Sequence, residues 1–195
     1  EKEMSPTACL SCEAGKYSIA GSDVCHYCTG YSYSPPMASI CICNGGYQPT
    51  DSDPQTMTCA ACAAGKYKTN AMSACAACSD SSTSYPAAVG CFCKAGYKRI
   101  ANASGGDCAA CSPGYYSSLD STHCLSCPIN TYQEIDASSS CSACPPNSRT
   151  ASTNTSDHCD CKCDAGFRWT ADLNASGSPQ YCQHGATVPD PCRPY

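Results

Sequence analysis

Hydrophobic side chains are sparse along the chain, and most stand alone between small or polar residues. The chain shows no helical period. Cysteines recur every 16 to 18 residues, and many of the cysteine pairs lead into a motif close to Cys-x-x-Gly-x-Tyr that starts at the second cysteine of the pair. Glycine at this place favours a tight turn with positive φ, and the tyrosine after it favours a short strand. Segments rich in Gly, Ser or Pro then turn the chain back toward the next cysteines. Each recurrence, which we call a step, is predicted to be a small two-stranded hairpin.

The cysteine pattern also repeats over a longer period of 50 residues, without a gap. Six cysteines of a first copy recur in a second, as Cys9, Cys12, Cys25, Cys28, Cys41 and Cys43, then Cys59, Cys62, Cys75, Cys78, Cys91 and Cys93. A third copy starts at Cys108 and is extended, so that its Cys-x-Cys element arrives late, within Cys159-Asp-Cys161-Lys-Cys163. The pattern predicts an N-terminal lead at 1–8, repeats at 9–58, 59–107 and 108–182, and a C-terminal tail at 183–195.

Composition explains what must hold these steps together. The 195 residues include 23 cysteines but only 15 Leu, Ile, Val and Phe residues, too few for an ordinary hydrophobic core. Disulfides are therefore expected to supply the order. The expected fold is a small disulfide-rich one, in which tandem repeats of short β-hairpins and loops stack into an elongated rod with almost no helix. A net charge of -5 argues against a nucleic-acid partner, and no apolar run is long enough for a membrane span.

Two disulfide schemes fit the spacing. The simpler one is a ladder that joins the second cysteine of each pair to the first of the next. It pairs Cys12 with Cys25, Cys28 with Cys41, Cys43 with Cys59, Cys62 with Cys75, Cys78 with Cys91, Cys93 with Cys108, Cys111 with Cys124, Cys127 with Cys141, Cys144 with Cys159 or Cys161, and Cys163 with Cys182. The alternative crosses the bridges of adjacent pairs, for example Cys9–Cys25 with Cys12–Cys28. In either scheme each step contacts mainly its neighbours.

The odd number of cysteines leaves at least one thiol without a partner inside a monomer. In the ladder Cys9 and Cys192 stand at the two ends, and one of Cys159 and Cys161 is spare. One interpretation pairs Cys192 with the spare cysteine and Cys9 with a residue of a longer parent chain. The other makes Cys9 and Cys192 the link between copies of the chain, since a head-to-tail contact that does not close builds a fibre.

Three Asn-x-Ser/Thr sequons, at Asn102, Asn154 and Asn174, accompany the dense cysteines. Disulfides persist and asparagine is glycosylated on the secretory route. The chain is therefore predicted to be an extracellular or cell-surface glycoprotein.

No catalytic or metal site is predicted, and no cofactor. The spacing of Cys9, Cys12, Cys25 and Cys28 is close to that of a four-thiolate zinc site, but the steps continue past four cysteines without a break. Isolated Cys-x-x-Cys motifs are also found at redox sites, yet the helix such sites require is not indicated. His26, His123, His158 and His184 share no recurring partner, and Asp51-Ser52-Asp53 lacks the remaining positions of a calcium-binding module.

Aromatic residues recur four or five residues after the ladder cysteines, and two interpretations stay open for them. Each ring can pack over a neighbouring disulfide as a miniature core, or the rings can form an exposed row that binds sugars or another filament. The residues concerned are Tyr17, Tyr33, Tyr47, Tyr67, Tyr97, Tyr115, Tyr132 and Phe167, and Trp169 lies just outside the register.

Three segments of the third copy resemble a known family. They are Cys124-x-x-Cys127-Pro-x-x-Thr-Tyr, Cys141-x-x-Cys144-Pro-Pro-Asn-Ser-Arg-Thr and Cys161-x-Cys163-x-x-Gly-Phe, and they resemble the cysteine-rich region of ephrin receptors. More broadly, residues 9–182 are similar to ephrin-receptor-like repeats, which are relatives of EGF modules found in many surface proteins. The resemblance implies a spacer, an adhesion stalk or part of a receptor ectodomain. Long arrays of similar repeats also occur in extracellular appendages such as protist flagellar hairs.

The sequence therefore predicts a non-enzymatic structural glycoprotein, a disulfide-stapled spacer or a filament subunit of a surface appendage or matrix. Its expected partners are further copies of itself or a larger parent chain, and glycans. The alternative is the stalk or ligand-binding module of a cell-surface receptor or adhesin. A subunit of a fibre self-associates, whereas a stalk fragment is monomeric.

Overall fold

The computed structural model describes residues 11–51, 57–100, 107–169 and 182–184. In these ranges every strand is two or three residues long, and the helical structure amounts to one 3-10 turn, His158–Asp160. Strands this short fit a chain in which turns and bends recur every few residues. The predicted fold class, short antiparallel hairpins with almost no helix in repeated disulfide-rich units, is confirmed.

The described chain divides into two compact units, of which the first contains Glu1–Cys78 and Thr83–Cys91. Consecutive strands pair as antiparallel hairpins in this unit. They are β1 (Lys16–Tyr17) with β2 (His26–Tyr27), β3 (Ser32–Tyr33) with β4 (Ile42–Cys43), β5 (Tyr47–Pro49) with β6 (Cys59–Ala61), and β7 (Lys66–Tyr67) with β8 (Ala76–Ala77). The strands β9 (Ser82–Thr83) and β10 (Phe92–Cys93) lie where the chain passes between the units.

The second unit contains Ser79–Ser82 and Phe92–Tyr195 and continues the same pattern. Its hairpins are β11 (Tyr97–Arg99) with β12 (Cys108–Ala110), β13 (Tyr115–Tyr116) with β14 (Leu125–Ser126), β15 (Thr131–Tyr132) with β16 (Ser142–Ala143), β17 (Ser148–Arg149) with β18 (Lys162–Cys163), and β19 (Phe167–Trp169) with β20 (Cys182–His184).

Turn glycines start most of these hairpins, as the sequence predicts. Gly15, Gly65, Gly114 and Gly166 have φ values of 82°, 78°, 81° and 86°. This left-handed backbone is inexpensive only for glycine, so the glycine fixes where the chain reverses.

Cysteine is the residue type most often buried. Among the described residues nine cysteines are buried, together with a single large hydrophobic side chain, Trp169, which is 4% exposed. Trp169 packs with Cys161 and Cys182, and Tyr132 and Phe167 lie against this cluster. The repeats thus fold around sulfur where a typical domain folds around aliphatic side chains.

Candidate functional site: the disulfide ladder and its step contacts

Ten disulfides join cysteines within the described ranges, and each closes one step. In chain order they define steps 1 to 10: Cys12–Cys25, Cys28–Cys41, Cys43–Cys59, Cys62–Cys75, Cys78–Cys91, Cys93–Cys108, Cys111–Cys124, Cys127–Cys141, Cys144–Cys161 and Cys163–Cys182. This is the ladder order and not the crossed one. The Cα atoms of each pair lie 5.6 to 5.9 Å apart, the usual spacing for a disulfide.

The spare cysteine of the ladder is Cys159, because Cys144 bonds to Cys161. Cys159 is itself disulfide-bonded. Cys9 and Cys192 lie outside the described residues, so their predicted roles as unpaired or interchain cysteines stay predictions.

Backbone hydrogen bonds of one repeating kind join steps 1 and 2, 3 and 4, 4 and 5, 6 and 7, and 7 and 8. The N–H of a turn glycine donates to a carbonyl of the following step, at 2.7 to 3.0 Å. These pairs are Gly15 to Ser34, Gly46 to Lys68, Gly65 to Ser84, Gly96 to Ser117 and Gly114 to Gln133. The glycine that makes the turn therefore also attaches its hairpin to the next one.

A second set of hydrogen bonds runs in the opposite direction. A residue with positive φ donates its N–H to the carbonyl of the first cysteine of the preceding step, at 2.8 or 2.9 Å. These pairs are Met37 to Cys12, Ala87 to Cys62, Asp120 to Cys93, Ala137 to Cys111 and Asn154 to Cys127. Left-handed backbone is costly outside glycine, and here the bond to the cysteine carbonyl offsets that cost.

Three buried serine hydroxyls strengthen the same contacts. Ser34 donates to the Lys16 carbonyl, Ser84 to the Lys66 carbonyl and Ser117 to the Tyr97 carbonyl, at 2.8 to 2.9 Å. These serines are not among the residues that the sequence predicts to be functional. The signal was present, since Ser34 and Ser84 are 50 residues apart and each lies shortly before a proline.

Some steps also contact the step two positions further along the chain. An ideal β-carbon on Gly46 would lie 2.1 Å from the carbonyl oxygen of Ala87, and one on Gly96 would lie 1.9 Å from that of Ala137. Each of these glycines contacts the step two positions on, in addition to the neighbours that the sequence predicted. Only glycine fits there, because the space of the missing side chain holds another backbone.

Lys68 is a buried cation between steps 3 and 4. Its side chain is 1% exposed, and its ammonium donates to the carbonyls of Cys43, at 2.9 Å, and Asn44, at 3.3 Å. Burial lowers the pKa of the Lys68 ammonium from its usual 10.5. The corresponding residue of the first copy is Ser18, so this lysine is specific to the second copy.

The residues considered for metal binding are engaged elsewhere. Three cysteines of the zinc-like spacing, Cys12, Cys25 and Cys28, lie in disulfides. Potential ligand atoms of Asp157, His158 and Cys159 lie within 4.8 Å of one another. The sulfur of Cys159 belongs to a disulfide, however, and Nδ1 of His158 contacts the carboxylate of Glu134.

The other histidines and Asp51 occupy unlike surroundings. His26 is exposed in β2 with its ring near Tyr17, and His123 is exposed and contacts the Thr122 hydroxyl. Only the backbone of His184 is described, as part of β20. Asp51 is exposed, whereas Ser52 and Asp53 lie outside the described residues.

Of the predicted glycosylation sites, Asn154 is described and is exposed. Its φ is 65°, and its backbone carbonyl and side-chain oxygen face Gly114. Ser156, the hydroxyl residue of this sequon, is also exposed. Asn102 and Asn174 lie outside the described residues.

The tyrosines divide between the two interpretations of the sequence. Tyr132 packs against the cluster around Trp169. Tyr33 is instead exposed, and so are Tyr27, Tyr31 and Tyr85, which lie outside the predicted register. Tyr31 and Tyr47 stack on each other, with ring centroids 4.0 Å apart.

Ladder disulfides and step-to-step contacts define a protein built of cysteine-rich repeats. The family model for the tyrosine-protein kinase ephrin type A/B receptor-like group matches residues 114–161. The resemblance seen in the sequence is confirmed for that stretch, and it points, with the disulfides, to an extracellular or cell-surface protein. The matched family is a receptor-like disulfide-rich repeat and not an enzyme class. No curated protein matches the chain significantly. Within the described residues no helix is long and apolar enough to cross a membrane.

Proposed function

We propose that this chain is a non-enzymatic structural glycoprotein, a disulfide-stapled array that acts as a spacer or as a filament subunit in a surface appendage or matrix. The observation that carries the proposal is the reciprocal pair of backbone hydrogen bonds between neighbouring steps. The donors and acceptors are backbone groups at repeating positions, so the same contact can be made again by a further step that has a turn glycine and a residue with positive φ at these positions. An array of this kind can be lengthened without a new interface.

The interior of the array also favours a mechanical role. Its buried side chains are mostly disulfide sulfurs and hydroxyl groups that bond to backbone carbonyls. Each ladder bridge joins cysteines 13 to 19 positions apart, and the chain-entropy model gives roughly 3 kcal/mol for loops of that size. Stability then depends little on any one step, which suits a spacer that must resist proteolysis and pulling.

A second candidate is the stalk or ligand-binding module of a receptor or adhesin. The exposed side chains of Tyr27, Tyr31 and Tyr85 favour it, because exposed aromatic rings are common where proteins bind partners. The match to the receptor-like family supports the same candidate.

Self-association through Cys9 or Cys192, and glycosylation at Asn102, Asn154 and Asn174, belong to the proposal. Exposure of Asn154 and Ser156 is compatible with a sugar at that sequon. A longer parent chain that continues the repeats is the alternative source of a partner for Cys9.

Sedimentation of the purified native chain over a wide concentration range tests the filament role. Mass that grows with concentration supports a filament subunit, and a monomer throughout supports a spacer or stalk. Intact mass before and after reduction shows whether the copies are joined covalently. The variants Cys9→Ser and Cys192→Ser identify the cysteine that joins them. Extra mass of the native chain in steps of one hexose indicates glycosylation. Small-angle scattering tests the elongated rod. Many free thiols with bound zinc would overturn the proposal.

A further inference from the structure

Tyr31 and Tyr47 form a stacked pair that joins step 2 to step 3. Their ring centroids lie 4.0 Å apart and their planes are inclined by 9°. Asn44 hydrogen-bonds to the backbones of both tyrosines. Its N–H donates to the Tyr31 carbonyl at 2.8 Å, and its carbonyl accepts from the N–H of Tyr47 at 3.1 Å. Disulfides close the steps on both sides, Cys28–Cys41 and Cys43–Cys59. The two rings are therefore held together by a covalently closed frame.

The phenol hydroxyls of the pair interact with each other. Burial raises the pKa of the Tyr47 hydroxyl, and a hydrogen bond with the Tyr31 hydroxyl raises it further. Rings that are nearly parallel and have neighbouring hydroxyls also place the ring carbons next to the hydroxyls, the Cε atoms, opposite each other. These are the carbons at which two oxidised tyrosines couple.

One ring of the pair is open to solvent. Tyr31 is 56% exposed, so an oxidant can reach it, while Tyr47 is half-buried beneath it. Tyr27 is more exposed, at 70%, but the Lys16 ammonium lies over its ring, 4.9 Å from the centroid. Tyr31 therefore combines a ring that is open to solvent with a second phenol in contact with it.

We propose that Tyr31 and Tyr47 are a site of oxidative cross-linking, at which a haem peroxidase with hydrogen peroxide joins the two rings as dityrosine. Proximity favours this pair over others, since the reacting groups are already in contact. The product adds a carbon–carbon bond between steps 2 and 3, which reducing agents do not break.

The reaction balances with one peroxide per cross-link. Each phenol loses one electron and one proton, and the two phenoxyl radicals form a bond between their Cε carbons. The hydrogen on each of these carbons then leaves as a proton while the oxygen regains one, which restores two phenols. Hydrogen peroxide accepts the two electrons and two protons and leaves as two molecules of water.

The test treats the dilute full-length chain, with its disulfides intact, with a haem peroxidase and hydrogen peroxide. The monomer is isolated, its disulfides and any methionine sulfoxide are reduced, and the chain is cleaved at methionine with cyanogen bromide. Cleavage after Met37 and Met57 releases fragment 38–57, whose single tyrosine is Tyr47. We expect this fragment to be joined to fragment 5–37, with a mass two hydrogen atoms below the sum and with dityrosine fluorescence.

Fragment 5–37 contains Tyr17, Tyr27, Tyr31 and Tyr33, so variants identify the partner. Tyr31→Phe should lower the yield of joined fragments about tenfold. Tyr27→Phe, the matched control in the same fragment, should leave the yield unchanged, and a disulfide map shows that both variants fold. The proposal is overturned if Tyr31→Phe retains the joined fragments, or if the native monomer yields no more of them than the reduced and alkylated chain.

Discussion

The carbonyl oxygen of Ala87 occupies the space in which Gly46 would carry a side chain, although the two residues are 41 positions apart. Gly46 has a φ of 82°, and Ala87, at 58°, is one of the residues that donate to a cysteine carbonyl of the preceding step. The contact joins step 3 to step 5 within the first unit. It shows that the ladder is held by backbone packing as well as by disulfides.

Replacement of Gly46 by alanine is therefore expected to be much more costly than the same change at a turn glycine with open space around it. Gly65 has nearly the same φ, 78°, but no atom lies within 4 Å of its ideal β-carbon. Gly65→Ala should cost about 1 kcal/mol of unfolding free energy for the left-handed backbone. Gly46→Ala should cost a further 1 to 3 kcal/mol or so, because the Ala87 backbone must move. Guanidinium unfolding with the disulfides intact measures both, and equal losses would contradict the prediction.

Ser117 offers a test of the buried hydroxyl contacts. Its side chain is fully buried and donates to the Tyr97 carbonyl at 2.9 Å, whereas Ser118 next to it is exposed. Ser117→Ala should destabilise the chain by about 1 kcal/mol through the lost hydrogen bond, and by up to about 3 kcal/mol if the carbonyl is left unsatisfied. Ser118→Ala should change the unfolding midpoint little. If the two variants unfold at the same denaturant concentration, the hydroxyl does not hold the steps together.

The fold class could be predicted from the sequence because the relevant signals are local. Cysteine spacing limits which bridges are short enough to close, and the turn glycines have the positive φ that their place in the motif predicts. The tyrosine or lysine after most turn glycines begins a strand, as at Lys16 and Lys66. Each of these choices depends on a few neighbouring residues.

The contacts between steps could not be predicted in the same way. They depend on how one hairpin lies against another, and hairpins of two residues carry no periodicity that indicates a buried face. Lys68 illustrates this, because a lysine after a tyrosine in a short strand would ordinarily be exposed. Ala87 and Ala137 adopt the left-handed backbone with no glycine or asparagine to indicate it.

Arg149 and Asp164 form an ion pair that connects β17 to the turn before β19. Nε of Arg149 lies 2.6 Å from Oδ1 of Asp164, and this hydrogen bond holds the pKa of the carboxyl below its usual value. Arg149→Gln should raise the pKa of Asp164 toward that usual value, as followed by NMR titration of the carboxyl. Lys162→Gln is the matched control, since Lys162 faces Arg149 across the hairpin but donates to the Cys159 carbonyl. An Asp164 pKa that does not change in Arg149→Gln would show that the pair is not formed in solution.

The sign of the resulting pH effect follows from linkage. Because the folded-state pKa of Asp164 is depressed, its contribution to stability is present above the unfolded-state pKa and is lost as the pH falls through the folded-state value. Arg149→Gln should therefore reduce the free energy of unfolding that is lost as the pH falls. The Arg149 side chain is 67% exposed and that of Asp164 is 28% exposed, so added salt should reduce the difference between the wild type and the variant.

Lys68 should make the free energy of unfolding depend on pH in the alkaline range. Burial lowers its pKa in the folded state below the usual 10.5, so in the interval between the two values the unfolded chain binds more protons than the folded one. The free energy of unfolding then rises with pH through that interval, and the gain is lost as the pH falls through the folded-state pKa.

Lys68→Met removes the titrating group but keeps a long side chain, and its unfolding free energy should lack this rise. Guanidinium unfolding midpoints of both proteins across this pH range measure the difference. Lys66→Met is the control, because Lys66 lies two residues earlier, is exposed and should leave the rise intact. A rise of equal size in all three proteins would mean that the ammonium of Lys68 is hydrated in the folded chain.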